Sequence, residues 1–195
     1  MSNLLITDEQ HDVLISLKEV MHQLRNVNQN VFAWKWAIIA LASTLNGALT
    51  CLLTGSAGIG ALEQNNARKT LSALQQGSEL RFPNPYLANP LELLERAVNL
   101  SDRIERAGSV LDLSISQKES FEKLFNFRNQ FIHFKPQGWV IDMRGMSQIF
   151  LSNMEIVEYI VEDNWSFRHM SETHQTELKA FVKSIKQTLN QFVSV

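Results

Sequence analysis

Between Val31 and Leu53 the chain is apolar on nearly every side, and Lys35 is the only charge in the run. A helix built from such a segment has no polar face to offer water, so it must be surrounded by protein or by lipid. A bilayer span takes about 20 apolar residues, which this run could supply. However, Ser43, Thr44, Asn46, Gly47 and Thr50 interrupt it, and no cluster of Lys and Arg marks a cytoplasmic flank. The adopted reading is therefore the central helix of a bundle, with no membrane; an anchor through residues 31–53 is the minor alternative. Ser43 and Gly47 lie one turn apart and predict a close approach by a second helix.

The flanking segments suit a bundle. Val13, Leu14, Leu17, Val20, Met21, Leu24 and Val27 recur at helical spacing, with Asp8 or Thr7 as cap. A shorter helix is predicted over 61–75, and another from Pro90 to Ala107, where proline suits the first helical position. Arg96, Arg103 and Arg106 on that helix alternate with Glu92, Glu95, Asp102 and Glu105, which reads as a solvated face. A further helix is predicted from Gln117 to Phe134, capped by Ser114 or Ser116 and ended by Pro136 and Gly138. Trp139 to Asp142 reads as a short extended piece. Ile149, Phe150, Val157, Ile160 and Val161 mark a sixth helix, and Leu178, Phe181, Val182, Ile185, Leu189 and Phe192 a seventh. The 195 residues contain only 8 Gly and 4 Pro, too few for a turn-rich all-β fold. The expectation is one all-α domain over 1–195, an antiparallel bundle of about six to seven helices with an irregular connector near 76–90.

Charge excludes some functions. Residues 1–100 carry 7 basic and 8 acidic side chains, and the remainder of the totals of 18 and 20 lies beyond them, leaving a net charge of −2. A tight non-specific nucleic-acid binder would be basic. Cys51 is the single cysteine, so an intramolecular disulfide is impossible and a thiolate zinc site lacks ligands. With no basic stretch before the acidic Asp8 and Glu9, the start does not read as a secretion signal. A cytoplasmic location is expected. His169 and His174, near Glu172 and Glu177, lack metal-site spacing, and neither a metal nor a cofactor is expected. GSAGIG, Gly55 to Gly60, follows a helix rather than a strand and has no Gly-Lys-Ser/Thr ending. It reads as a helix cap and turn, not a phosphate loop.

The segment FNFRNQFIHFKPQGW, Phe125 to Trp139, carries chemistry. Arg128 is followed by Asn129 and, after a further three residues, by His133. An imidazole can exchange a proton near neutrality, and a guanidinium can grip two phosphate oxygens at once. An amide side chain can orient either of them. On a helix over 117–134, Asn129 and His133 share a face while Arg128 lies about 140° away. Arg128 then either runs its stem along apolar surface to reach a cleft, or is buried and paired with a carboxylate. His133 is either a proton-transfer group or a structural hydrogen-bonding residue. Phe125, Phe127, Phe131 and Phe134 read as core or dimer contacts, and Trp34, Trp36 and Trp139 as packing residues.

Arg128, Asn129 and His133 on a late helix of an α bundle resemble the motif of the HEPN superfamily, in which an Arg, often followed by a polar residue, precedes a His by a few positions. The His-Phe-x-Pro-x-Gly-Trp ending is similar to that of a group of bacterial HEPN-like proteins. The resemblance implies a metal-independent RNA endonuclease that uses 2′-hydroxyl transesterification at a site shared across a homodimer. His133 would be the acid/base group, Arg128 the phosphate clamp and Asn129 the orienting group. RNA, not DNA, would be the nucleic-acid partner. The alternative is a non-catalytic HEPN-like dimeric module that binds a nucleotide, RNA or protein. Members silenced by a nucleotidyltransferase carry Tyr two residues after the His. Lys135 stands there, which argues against that form of control.

Overall fold

The computed structural model describes residues 4, 7–76, 82–133, 136, 138 and 140–193. The expectations placed on Phe134, Lys135 and Trp139, and on 77–81 of the connector, lie outside the described residues. Among the described residues seven α-helices follow in order: α1 (Glu9–Leu24), α2 (Ala33–Leu53), α3 (Gln64–Gln76), α4 (Pro90–Val98), α5 (Ile115–Ile132), α6 (Met146–Glu162) and α7 (Glu172–Val193). A single 3-10 turn, Leu100–Asp102, follows α4. Among the described residues extended pairing is limited to an isolated bridge between Leu62 and Leu87. The fold is the all-α bundle that the periodicity predicts.

Local chemistry sets the helix ends. The Asp8 carboxylate accepts the His11 amide at 2.8 Å and caps α1. Asn89 accepts the Glu92 amide at 3.0 Å in front of Pro90. Ser114 and Gln117 form a reciprocal capping box on α5, which satisfies two amides that would otherwise lack partners.

The apolar run becomes α2 and occupies the centre, packed by α1, α4, α5 and α6, with α7 against α1 and α6. By length and composition α2 could cross a bilayer, but here its apolar surface is largely turned into its neighbours. A buried cluster runs from Val13 through Leu41, Leu49 and Phe121 to Phe150 and Leu189. At Gly47 a Cβ would stand 2.8 Å from the Val13 methyl, so α1 crosses where the side chain is absent. Cys51 sits in this core, and burial, reinforced by the Glu9 and Asp8 charges, pushes its thiol pKa up. Native protein is therefore expected to resist a disulfide reagent and to release one thiol equivalent only on unfolding. Fast stoichiometric reaction in buffer would contradict this packing.

The largest departure from expectation is the segment after Pro90. The helix stops at Val98 instead of reaching Ala107, because the following chain folds back onto it. The Arg103 guanidinium is the clamp: it donates to the carbonyls of Arg96 (2.9 Å), Ala97 (3.0 Å), Gly108 (2.9 Å) and Ser109 (2.6 Å), and also to Ala107. The Arg96 side chain is buried, donating to the carbonyls of Gly60 and Leu62 at 3.0 and 2.7 Å and to Glu92. Only part of the expected solvated face remains: Glu95, Asp102 and Arg106 are exposed. Periodicity could not reveal this, since these arginines bond backbone carbonyls rather than water.

The Gly55–Gly60 loop completes the arrangement. Glu105 Oε2 accepts the amides of Gly55, Ile59 and Gly60 at 3.0, 2.8 and 2.7 Å, and Oε1 accepts that of Ala57 at 2.9 Å. Amides of one loop converging on an anion make a nest-like concavity, and here the anion is the chain's own carboxylate. Gly58 has φ +68°, and a Cβ at Gly60 would lie 1.8 Å from the Leu53 carbonyl oxygen. The loop is thus a turn after α2, as its context predicts, but one wrapped around a side chain from a distant segment. Beside it, Ala61 to Asn66 is laced to the connector: the Glu63 amide donates to Tyr86 O at 2.8 Å, the Ala88 amide to Ala61 O at 3.0 Å, and Asn66 Nδ2 to Asn84 O at 2.9 Å.

Candidate functional site

The site lies at the C-terminal end of α5. Phe121, Leu124 and Phe125 bury the first half of the helix in the core, which fixes its far end beside the start of α2. Phe127 and Phe131 pack more shallowly on the same core. These rings are the core contacts that their spacing predicts.

Arg128 is half-buried, and Asn129 and His133 are exposed. Arg128 Nη1 donates to Asn129 Oδ1 at 2.9 Å. The guanidinium thus crosses the angular gap that ideal helix geometry puts between Arg128 and the Asn129 face. No carboxylate pairs with it among the described residues, so the buried ion pair is not its role there. His133 is not inside the helix, as the predicted 117–134 boundary required. It is the C-cap, with φ −104° and ψ 75°, and its amide donates to the Asn129 carbonyl at 2.9 Å. The backbone turns away there, so the ring's direction follows the cap and not the helical pitch. Asn129 is the common anchor, holding Arg128 by its side chain and His133 by its backbone.

Phe131, near the same end of α5, helps to line an apolar groove of about 540 Å³, bounded also by Phe32, Trp34, Lys35, Val140 and Ile141. The Lys35 ammonium stands 4.9 Å from the Trp36 ring centre and 6.0 Å from that of Phe131. Asp142, which follows Ile141 in the chain, is engaged by Arg144 through Nε and Nη2 at 2.6–3.0 Å. Those hydrogen bonds lower its pKa to about 2. Sequence reasoning treated Trp36 as packing; it is about half exposed, while Trp34 packs edge-on against Phe150 at 5.1 Å. The clue to this groove was the placing of Lys35 between two tryptophans, three residues after Phe32.

The other histidines go elsewhere. His11 bonds Asp8 at 2.7 Å and meets the His174 ring edge-on at 5.2 Å, while Glu177 pairs with Lys18 at 2.8 Å. Comparisons with protein-family models, curated proteins and solved structures found no match to this chain.

Proposed function

We propose that the protein is a metal-independent RNA endonuclease of the HEPN type, working at the Arg128–Asn129–His133 cluster as a cytoplasmic homodimer. The observation that carries this reading is the pairing of Arg128 with an amide oxygen instead of a carboxylate, beside a solvent-exposed imidazole. A guanidinium already neutralised by a buried acid would have little to offer a phosphate, whereas one oriented by Asn129 keeps its charge for an incoming anion.

The chemistry follows from the groups. An imidazole takes the proton from the ribose 2′-hydroxyl, whose oxygen attacks the adjacent phosphorus. The new 2′-O–P bond forms as the P–O5′ bond breaks, and the departing 5′-oxygen takes up a proton. Arg128 stabilises the charge that accumulates on the non-bridging oxygens. Deprotonation and protonation occur on opposite sides of the phosphorus, and each chain brings one imidazole to the site. A second copy related by a two-fold axis would supply the other. The products are a 2′,3′-cyclic phosphate and a 5′-hydroxyl.

The test is incubation of the purified protein, with chelator, against RNA and DNA of the same sequence. Cleavage of the RNA alone is expected, because DNA lacks the attacking hydroxyl. An RNA left intact across varied sequences and structures, by a protein that still binds nucleotide, RNA or protein, would favour the non-catalytic module.

A further inference from the structure

We infer that α3 and α4 together form a self-association surface, independent of the nuclease reading and at the end of α2 opposite the candidate site. On it, α3 of one copy lies on α4 of a second, and the second copy's α3 lies on α4 of the first. The need for cover comes first. Among the described residues α3 lies along no other helix, and only Ala67 and Ala73 of its 13 residues are buried. A helix of that length is marginal in water without packing. Ala67, Leu71 and Leu74 form one row at helical spacing. Ala67 packs with Ile59 and Leu62, but Leu71 and Leu74 are 40% and 45% exposed. The row thus runs out of cover from its own chain. α4 repeats the pattern: Leu91 is 46% exposed, and it shares a face with exposed Glu95 and half-buried Val98.

Charge decides between occupants. Arg68 precedes Leu71 by three residues and borders the α3 row. Glu95 stands in the α4 row between Leu91 and Val98. Neither forms an ion pair among the described residues; Glu95 accepts a neutral bond from Asn99 Nδ2 at 3.2 Å. α3 itself carries no acid, and Glu63 at its start is turned onto the amides of Asn65 and Asn66. One row is therefore apolar with a cation, the other apolar with an anion. The two are neighbours. The Ala88 amide bonds Ala61, and Arg96 of α4 reaches the Gly60 and Leu62 carbonyls, just past the end of α2. Adjacent, complementary rows on one chain suit a two-fold axis, which joins Arg68 to Glu95 at both of its symmetric contacts. A nucleic acid or an anionic lipid surface would be repelled by Glu95. An acidic peptide would leave the α4 row bare.

The test is sedimentation equilibrium of the full chain carrying Arg68→Glu, of the chain carrying Glu95→Arg, and of an equal mixture of the two. Each variant alone sets like charges against each other at both contacts, which opposes association. Its mass should fall by about half or more from the wild-type value. The mixture should regain the wild-type mass, because every contact between unlike variants again joins an acid to a base. The doubly substituted chain should regain it for the same reason. Recovery in the mixture also shows that both variants are folded. A wild-type mass that neither substitution lowers, or a loss that mixing does not repair, would overturn the proposal. RNA cleavage is read beside mass. Arg68→Glu should still cleave, since the candidate site lies beside the start of α2 and this contact beyond its end. Charge-dependent assembly without any wild-type cleavage would remove the nuclease and keep this surface. Cleavage lost and regained in step with mass would place the contact at the site itself and overturn its separate position.

Discussion

Replacing Glu105 with glutamine is expected to lower the free energy of unfolding by about 3–5 kcal/mol, a large part of what a domain possesses. Four backbone amides of the Gly55–Gly60 loop converge on this carboxylate. Glutamine has nearly the same shape but no charge, and its NH₂ would face a donor. Hydrogen bonds to a charged partner contribute about 1.5–3 kcal/mol and neutral ones about 1, so three weakened bonds and one abolished bond sum to about 3–9 kcal/mol, of which the lower part is expected. The loop is only partly buried, and water will replace some of the loss. Gly60→Ala should be comparably damaging, since its methyl would have to displace the Leu53 carbonyl at the end of α2. The two losses should not add, because both release the same loop. Urea unfolding reads each value directly; a change below about 1 kcal/mol for Glu105→Gln would mean that the nest is not a stabilising contact.

The second large effect concerns activity. His133→Ala should reduce RNA cleavage by about 10²–10⁴-fold, the range for removing a positioned acid/base group. It should change stability by no more than about 0.5 kcal/mol, as for surface positions. That combination separates the two roles the sequence left open. A structural histidine would lose stability along with activity, yet His133 is exposed and, among the described residues, its ring has no hydrogen-bonding partner. Arg128→Lys keeps the charge but gives up the planar fork that meets two phosphate oxygens and the bond to Asn129, so it should lose activity nearly as fully as Arg128→Ala.

What could be read beforehand divides along a physical line. The helices were legible wherever one stripe of side chains faces a core, as with Val13 to Leu24 or Leu178 to Leu189, because burial imposes its period on the sequence. α2 was legible for the opposite reason, having no polar face at all. Illegible were contacts between side chain and distant backbone. Arg103 and Glu105 look like surface charges in a pattern, and nothing local says that one closes on carbonyls and the other on amides 45 to 50 residues away. That pair cuts the predicted helix from Pro90 to Ala107 short at Val98.

At the candidate site the residue types were readable and their arrangement was not. Arg128, Asn129 and His133 were picked out by chemistry, but helical pitch set Arg128 apart from the other two. A flexible side chain closes that gap by bonding Asn129, and the helix ends one residue before His133. The groove was hidden because Phe32, Trp34 and Trp36 look like core residues in an apolar run. Only their position at the start of α2 leaves Phe32 and Trp36 open.

The most direct measurement of the central claim is the chemical identity of the ends left on a cleaved RNA, determined by mass spectrometry with chelator present. Attack by the neighbouring ribose oxygen predicts a 2′,3′-cyclic phosphate on one fragment and a 5′-hydroxyl on the other, both absent when His133 is alanine. A 3′-hydroxyl with a 5′-phosphate, or the same ends produced undiminished by the His133→Ala protein, would contradict it.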